Sequence, residues 1–485
     1  MKIRTFLHLG STMHELMHLE SLDIEQAINE HAILNLTALL NYASEINFAI
    51  NNNARDIIEV VVEKDGQNAT IFKGIVKKTE IKKMENTYIL HLIGVSASFL
   101  TDIEIKSKSF QNKTMTYSEV MKTVLRQDGG RLGGLVGNDA AIRRFIMQYK
   151  ETNWEFLKRM ASHFNAGLVP SIMSHTPDIT VGIPEGTPRG TIEKYNFYVT
   201  KDIERYMRST CNEHEGLTEL DTVSFHIETS EDFDIGDTLT YRYKDEWSQV
   251  AALYIKSKRT EMIDGTLRFK YSLSAAGGLS TDKLYNEKIV GLSLRGRVLE
   301  RGNDTVKVFL TEIDDGQDPA TAWNFPYSTP YTAEGSSGWY VMPELDDTVY
   351  IYFPNRQEHH GVGLNAIRLK NTGTDKIGNP EIKYLRTKDG KELKLATDEV
   401  VITCANWVNE ETGEHNKIYI QFNEKSGITM HSTKPVYISS DGDINFTADK
   451  KILFAAEDEI KMKCQTSQIK MDSSIEIISP VVKVN

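Results

Sequence analysis

The chain has 485 residues and a formal net charge of −12, with lysines and arginines spread along its length, which excludes the basic face of a nucleic-acid-binding protein. Apolar residues make up 40% and charged residues 26%, with 12 prolines, so the whole length should fold, into several domains rather than one core. The three cysteines, Cys211, Cys404 and Cys464, stand far apart with no C-x-x-C spacing, which excludes a disulfide framework and a zinc ribbon.

Residues Met1 to Phe6 lack the apolar core of a signal peptide, and nowhere do about 18 uncharged apolar residues run together, so synthesis in the cytoplasm is expected. His14-Glu15-Leu16-Met17-His18 spells H-E-x-x-H, which on a helix would put two imidazoles on one face for zinc, with Glu15 as general base. A zinc peptidase also needs a third ligand and a substrate-aligning strand, usually upstream, and only thirteen residues precede His14. Met13, Leu16, Met17 and Leu19 are explained equally by packing, so a zinc metallopeptidase is the alternative and not the main reading.

Residues 51–100 predict β structure: Asp56 to Glu63 and Thr70 to Ile81 are rich in β-branched residues and flank Asp65-Gly66, a hairpin signal, and Tyr88 to Val95 adds a strand. The first hundred residues therefore predict a strand-rich barrel or sandwich. Two helices follow, each opened by a capping box, in which a Thr hydroxyl and a Glu three residues later satisfy free backbone N–H groups. Thr116 and Glu119 precede Val120, Met121, Val124 and Leu125 on one face. Thr152 and Glu155 precede Leu157, Met160, Ala161 and Phe164, with Gly167 just past the expected end and Trp154 as a core residue.

Strand patterns return in Val223 to Ile227, Thr238 to Tyr243 and Leu267 to Tyr271, and the small residues of Ser274 to Ser280 predict a flexible boundary. Five short strands are then expected: Gly296 to Leu299, Thr305 to Leu310, Gly338 to Val341, Thr348 to Phe353 and Gly361 to Ala366. That pattern suits a small barrel of the oligonucleotide/oligosaccharide-binding (OB) type, a fold that names no ligand by itself. His359 and His360, as neighbours in the Gln357 to Gly361 turn, are expected to be surface residues and not a ligand pair.

Between residues 420 and 463 a pair of apolar residues separated by one position recurs every eight residues. The pairs are Ile420/Phe422, Ile428/Met430, Val436/Ile438, Ile444/Phe446, Ile452/Phe454 and Ile460/Met462, and the rhythm slips but continues in Ile469/Met471 and Ile475/Ile477. Each unit reads as a very short strand pointing two side chains one way, followed by a bend of turn formers and charges. Eight residues span at most about 25 Å and cannot close a turn of a one-chain solenoid. Three chains wound about one axis would each supply one wall of a triangular prism and pair every strand edge. A plain antiparallel meander also alternates but rarely keeps one period through six units.

Lys106 to Asn112 (Lys-Ser-Lys-Ser-Phe-Gln-Asn) and Gln148 to Arg159 (Gln-Tyr-Lys-Glu-Thr-Asn-Trp-Glu-Phe-Leu-Lys-Arg) are similar to stretches reading S-R-S-F-Q and Q-Y-x-E-T-D-W-x-F-L-x-R. Phe233 to Asp237 and Pro343 to Phe353 resemble two further barrel-strand motifs, the second with Asp346 in place of the usual Gly. The family that carries these stretches is the VgrG spike of type VI secretion, with the related hub-and-spike proteins of contractile phage tails, and the resemblance covers essentially the whole chain.

The resemblance implies a mainly β chain with minor α content. Its parts would be a hub β-barrel domain (1–104), a helix-containing hub insertion (105–215), a second hub barrel (216–280), an OB-fold neck (281–370) and a C-terminal intertwined trimeric β-helix (371–485). The implied partners are two further copies in a homotrimer, a hexameric tube protein and baseplate proteins at the hub, a tip-capping protein and effectors at the spike, and a target membrane met transiently. By the same resemblance the protein is assembled into an injection particle and ejected to the extracellular space or the target cell. No catalytic residue, metal site or cofactor is expected, nor an enzymatic extension after the repeat. The residues expected to matter most are the twelve octad side chains from Ile420 to Met462. A carbohydrate-binding tail fibre is a further reading of the trimeric repeat.

Overall fold

The computed structural model describes residues 2–9, 12–16, 18–40, 53, 55–64, 67–85, 87–134, 139–212, 214, 216–242, 250–333, 337–368, 376, 378–408, 413 and 415–483. The chain divides into two compact units, Met1–Leu369 and Lys370–Asn485.

The first unit is organised around one 13-stranded sheet. Along its main path run Phe197–Lys201, Val223–Thr229, Thr266–Ser274, Val250–Ile263, Leu19–Ala27, Ile33–Leu40, Thr87–Val95, Gln67–Met84, Ile57–Lys64, Lys2–Leu9 and Thr12–Leu16, all antiparallel to their neighbours. The strands expected in two separate barrels thus share one sheet. The seam is Val250–Ile263 against Leu19–Ala27, where Arg259 donates to Asp23 at 2.9 and 3.0 Å. Period-2 alternation sends Leu22, Ile24, Leu34, Leu36, Leu90 and Leu92 from one side of this seam and Leu267, Phe269, Tyr271 and Leu273 from the other into a common core. The Asp65-Gly66 turn and Tyr243 lie outside the described residues, although Ile57–Lys64 and Gln67–Met84, on either side of that turn, do pair.

Two helices, α1 (Tyr117–Arg126) and α2 (Asn153–Ser162), form a second core with Phe110 and Ile146, and both carry the complete expected capping box. Gly167 is not the helix stop. Asn165 takes the left-handed position at φ 53°, while a Cβ on Gly167 would lie 2.2 Å from Ile28 Cγ2, so this glycine allows close packing. A third helix, α3 (Ile203–Cys211), has an Asp202 side chain accepting from Arg205 N and was not expected.

The Ser274 to Ser280 stretch is packed rather than flexible. A Cβ on Gly277 would stand 2.3 Å from Asp221 Oδ1, and Arg205 donates to the carbonyls of Gly278 and Ser280 at 3.1 and 2.8 Å. Ser280, His214 and Asp282 form a hydrogen-bonded row of 3.1 and 2.7 Å, but Ser280 Oγ also donates to Gly277 O, so the row ties the segment down.

A third core belongs to a five-stranded sheet ordered Asn324–Pro326, Thr305–Leu310, Ser293–Arg301, Thr348–Tyr352 and Val362–Ile367. The expected strand at Gly338 to Val341 is not part of it. Ser337–Trp339 instead pairs with Tyr331–Ala333 in a separate hairpin, and the fifth strand is Asn324–Pro326, too short to show a period but anchored by fully buried Phe325. Asp346 sits at φ 67°, a left-handed position that favours glycine.

In the second unit, Lys383–Arg386, Glu392–Leu395, Glu399–Val408, His415–Asn423 and Gly427–Ser432 form one antiparallel sheet, and Ile460–Cys464, Ser467–Met471 and Ile475–Ile478 another. Residues 433–459 between them form no strand; they bend at 433–434, 441–442, 449–450 and 457–458, once every eight residues.

Candidate functional site

The H-E-x-x-H segment takes no helix. His14 and Glu15 lie on the strand Thr12–Leu16, where successive side chains face opposite ways, and His18 follows it at φ 54°. Both Glu15 oxygens accept from Arg4, at 2.8 and 2.9 Å, so the carboxylate is held across the sheet instead of being aimed at a water. The helical geometry that the zinc alternative requires is therefore absent, and among the described residues no group of three or more His, Cys, Asp or Glu side chains is placed to hold a metal ion. His359 and His360 sit on a single tight turn and not on a strand, with ring centroids 4.4 Å apart.

The octad residues fall into three settings. In the five-stranded sheet of the second unit, cross-strand register lines up two apolar rows on one face, Leu385–Leu393–Ile402–Ile420–Met430 and Leu395–Val400–Phe422–Ile428. The opposite face is polar, with Lys394 held to Glu399 at 2.6 Å and Tyr419 stacked on His431. In the last sheet the rows are Ile460–Met471–Ile475 and Met462–Ile469–Ile477. Between the sheets, Val436, Ile438, Ile444, Phe446, Ile452 and Phe454 are 45–66% exposed, and the rings of Phe446 and Phe454, one octad apart, meet at 6.2 Å. A single chain thus leaves a continuous series of apolar pairs facing solvent.

The best-built polar constellation lies in the first unit, where the two family-like stretches meet the small barrel. Lys106–Phe110 pairs with Ile146–Glu151. From this ribbon Phe145 and Met147 enter the core of the five-stranded sheet, with the Phe145 ring 5.0 Å from Phe325 and 5.9 Å from Phe353. Ser109 donates from N and Oγ to the two oxygens of Asp314 at 2.7 and 2.6 Å. Gln111 donates to Val308 O and accepts from Trp323 N. Burial pushes the Asp314 carboxyl up despite the two donors.

At the centre stands Arg159, 4% exposed. Its guanidinium donates to both oxygens of Glu151 at 2.9 and 2.8 Å, to Met147 O at 2.8 Å and to Glu358 Oε1 at 2.5 Å. Burial pushes the Glu358 carboxyl up more strongly than Arg159 holds it down, while the two carboxylates outweigh burial at Arg159 and keep it charged. Next to it, His163 Nδ1 and Tyr117 Oη share a hydrogen bond of 2.9 Å; burial, then Arg159, Arg144 and Lys283, lower the pKa of His163 to about 3. The arrangement fixes the small barrel to the helical segment through desolvated charge pairs with few alternative geometries.

Residues 27–166 match the model of the phage tail baseplate hub (GPD) family. The matched stretch contains the ribbon, both helices and Arg159. Three solved structures of PdpA-VgrG complexes, two of them from Francisella, are similar to this chain. The lidded form has a TM-score of 0.57 at 11% identity, covering 89% of this chain and 80% of that one. The half-lidded form has 0.56 at 11%, covering 89% and 88%. The lidless form has 0.54 at 12%, covering 89% and 98%. This is the VgrG fold. No curated protein matches the chain. By the resemblance, the large sheet with its helical segment corresponds to the hub and the five-stranded sheet to the neck, so the constellation around Arg159 takes the label of hub–neck joint. The fold is shared with VgrG structures, and the baseplate-hub match falls on residues 27–166.

The joint was not foreseen from sequence as a joint. Glu358 and Asp314 come from turns with no pattern of their own; the available signal was the density of polar residue types in Lys106 to Asn112 and Gln148 to Arg159.

Proposed function

We propose that this chain is the trimeric hub and membrane-puncturing spike of a contractile injection machine, in which sheath contraction drives a rigid needle and its cargo through a target membrane. The observation that carries the proposal is the apolar face of the second unit, where octad pairs stand in register on one side while polar pairs occupy the other. Burying one such side chain is worth about 1–2 kcal/mol, so twelve per chain give a gross driving force on the order of 10–20 kcal/mol before association costs. A face-to-face dimer would cover the face but leave strand edges open; three chains wound together cover the face and pair the edges. Displacing one strand of such a prism breaks main-chain hydrogen bonds and exposes the core at once, and that stiffness is what puncturing needs.

The hub would seat on a hexameric tube and baseplate proteins, and a capping protein and effectors would ride on the spike. The neighbouring structures hold VgrG with PdpA, which supports a role for this chain in carrying a partner. Deleting residues 428–463 tests the reading. The hub should stay folded while trimer mass and target puncture are lost; puncture as efficient as that of the intact protein would remove the mechanical role.

A further inference from the structure

Beside the hub–neck joint lies a cleft of about 430 Å³ whose walls carry Arg143, Arg144, Lys283 and Arg356. The one carboxylate lining it, Glu358, is already engaged by buried Arg159. Among the described residues none forms an ion pair with Arg143, Arg144 or Lys283. Arg356 lies over the Tyr285 ring at 4.0 Å, with Glu287 at 3.7 Å from its guanidinium. These cations come from three segments: the stretch before the ribbon, the connection between the large sheet and the neck, and the neck turn before Glu358. Gathering like charges around one recess, with Arg143, Arg144 and Lys283 lacking an ion-pair partner among the described residues, is unfavourable in a chain of net charge −12 unless an anion occupies it.

We propose that this cleft binds a compact oxyanion of the phosphate class, which ties the hub segment, the connection and the neck turn together. Guanidinium forks match tetrahedral oxyanion geometry, and a lysine adds a point charge. The same cations act on His163: after burial, Arg159, Arg144 and Lys283 are what disfavour its proton. Arg144 acts in the same direction on His359 across the cleft. The inference does not depend on the spike reading, because it concerns the first unit alone.

The test is calorimetric titration of the full chain with sodium pyrophosphate at fixed ionic strength, with sodium chloride as the control. The expected result is one site per chain, weakened at least tenfold, about one order of magnitude, in Arg144→Gln/Lys283→Gln. That variant should be at least as thermostable as the parent without pyrophosphate, since it loses repulsion. A readout on the parent protein alone is acetylation of Lys283 followed by mass spectrometry, which pyrophosphate should suppress. Absence of heat beyond the chloride control, equal affinity in the double variant, or undiminished Lys283 acetylation would each overturn the proposal. So would retention on phosphatidylserine vesicles without pyrophosphate binding, because the cations would then serve a membrane surface.

Discussion

Arg159 and Glu358 stand 199 positions apart in the chain and meet at 2.5 Å, both nearly sealed from water. Removing the cation should be far worse than neutralising the anion. Arg159→Leu leaves Glu151 and Glu358 buried and uncompensated and should cost about 3–5 kcal/mol. Glu358→Gln replaces a carboxyl that burial already pushes toward its neutral form and should cost about 1–2 kcal/mol. Urea denaturation of residues 1–369 ranks the two; equal losses would mean that the pair is not a desolvated unit.

The neck should not fold from its own segment. Phe145 and Met147 fill its core, and Gln111 holds Val308 and Trp323. Residues 281–370 expressed alone should lack cooperative unfolding, and Phe145→Ala in the full chain should destabilise the neck by about 3–5 kcal/mol. Near-ultraviolet circular dichroism of the isolated segment decides the first point.

His163 sets a pH window. Its folded-state pKa of about 3 lies below the ordinary histidine value, so the unfolded chain takes up a proton that the folded chain refuses. Its contribution to stability is complete above about pH 6.5 and is lost as pH falls from there toward 3, at no more than about 1.4 kcal/mol per pH unit. The difference in stability between the parent and His163→Gln, followed against pH, should shrink across that window. A constant difference would show that His163 titrates alike in both states.

Asp346 at φ 67° stands where the resembling family has glycine. Asp346→Gly should be neutral or mildly stabilising, while Asp346→Val should cost about 1–2 kcal/mol because a β-branched side chain resists that conformation. Thermal melts of both variants check the order.

Much of this architecture was legible in the sequence because it is local. Capping boxes at Thr116 and Thr152 fix helix starts through contacts three residues apart, and β-branched alternation marks strands such as Ile57–Lys64. The eight-residue rhythm survives as the spacing of bends through residues 433–459. What escaped was non-local or too short. Nothing in the pattern of Ile146–Glu151 says that Phe145 and Met147 face a different core from Ile146. Asn324–Pro326 is a strand only because the neighbouring strand Thr305–Leu310 accepts it. The glycines at 277 and 278 resemble a linker until Asp221 and Ser274 are seen pressed against them.

The apolar octad face is what the whole functional reading rests on, and sedimentation equilibrium of the intact chain at micromolar concentration probes it most directly. A particle of three times the 55.0 kDa chain mass, reduced to single chains by Ile444→Ser with Phe446→Ser, is the predicted result. A folded, soluble 55.0 kDa particle for the unaltered protein would contradict it.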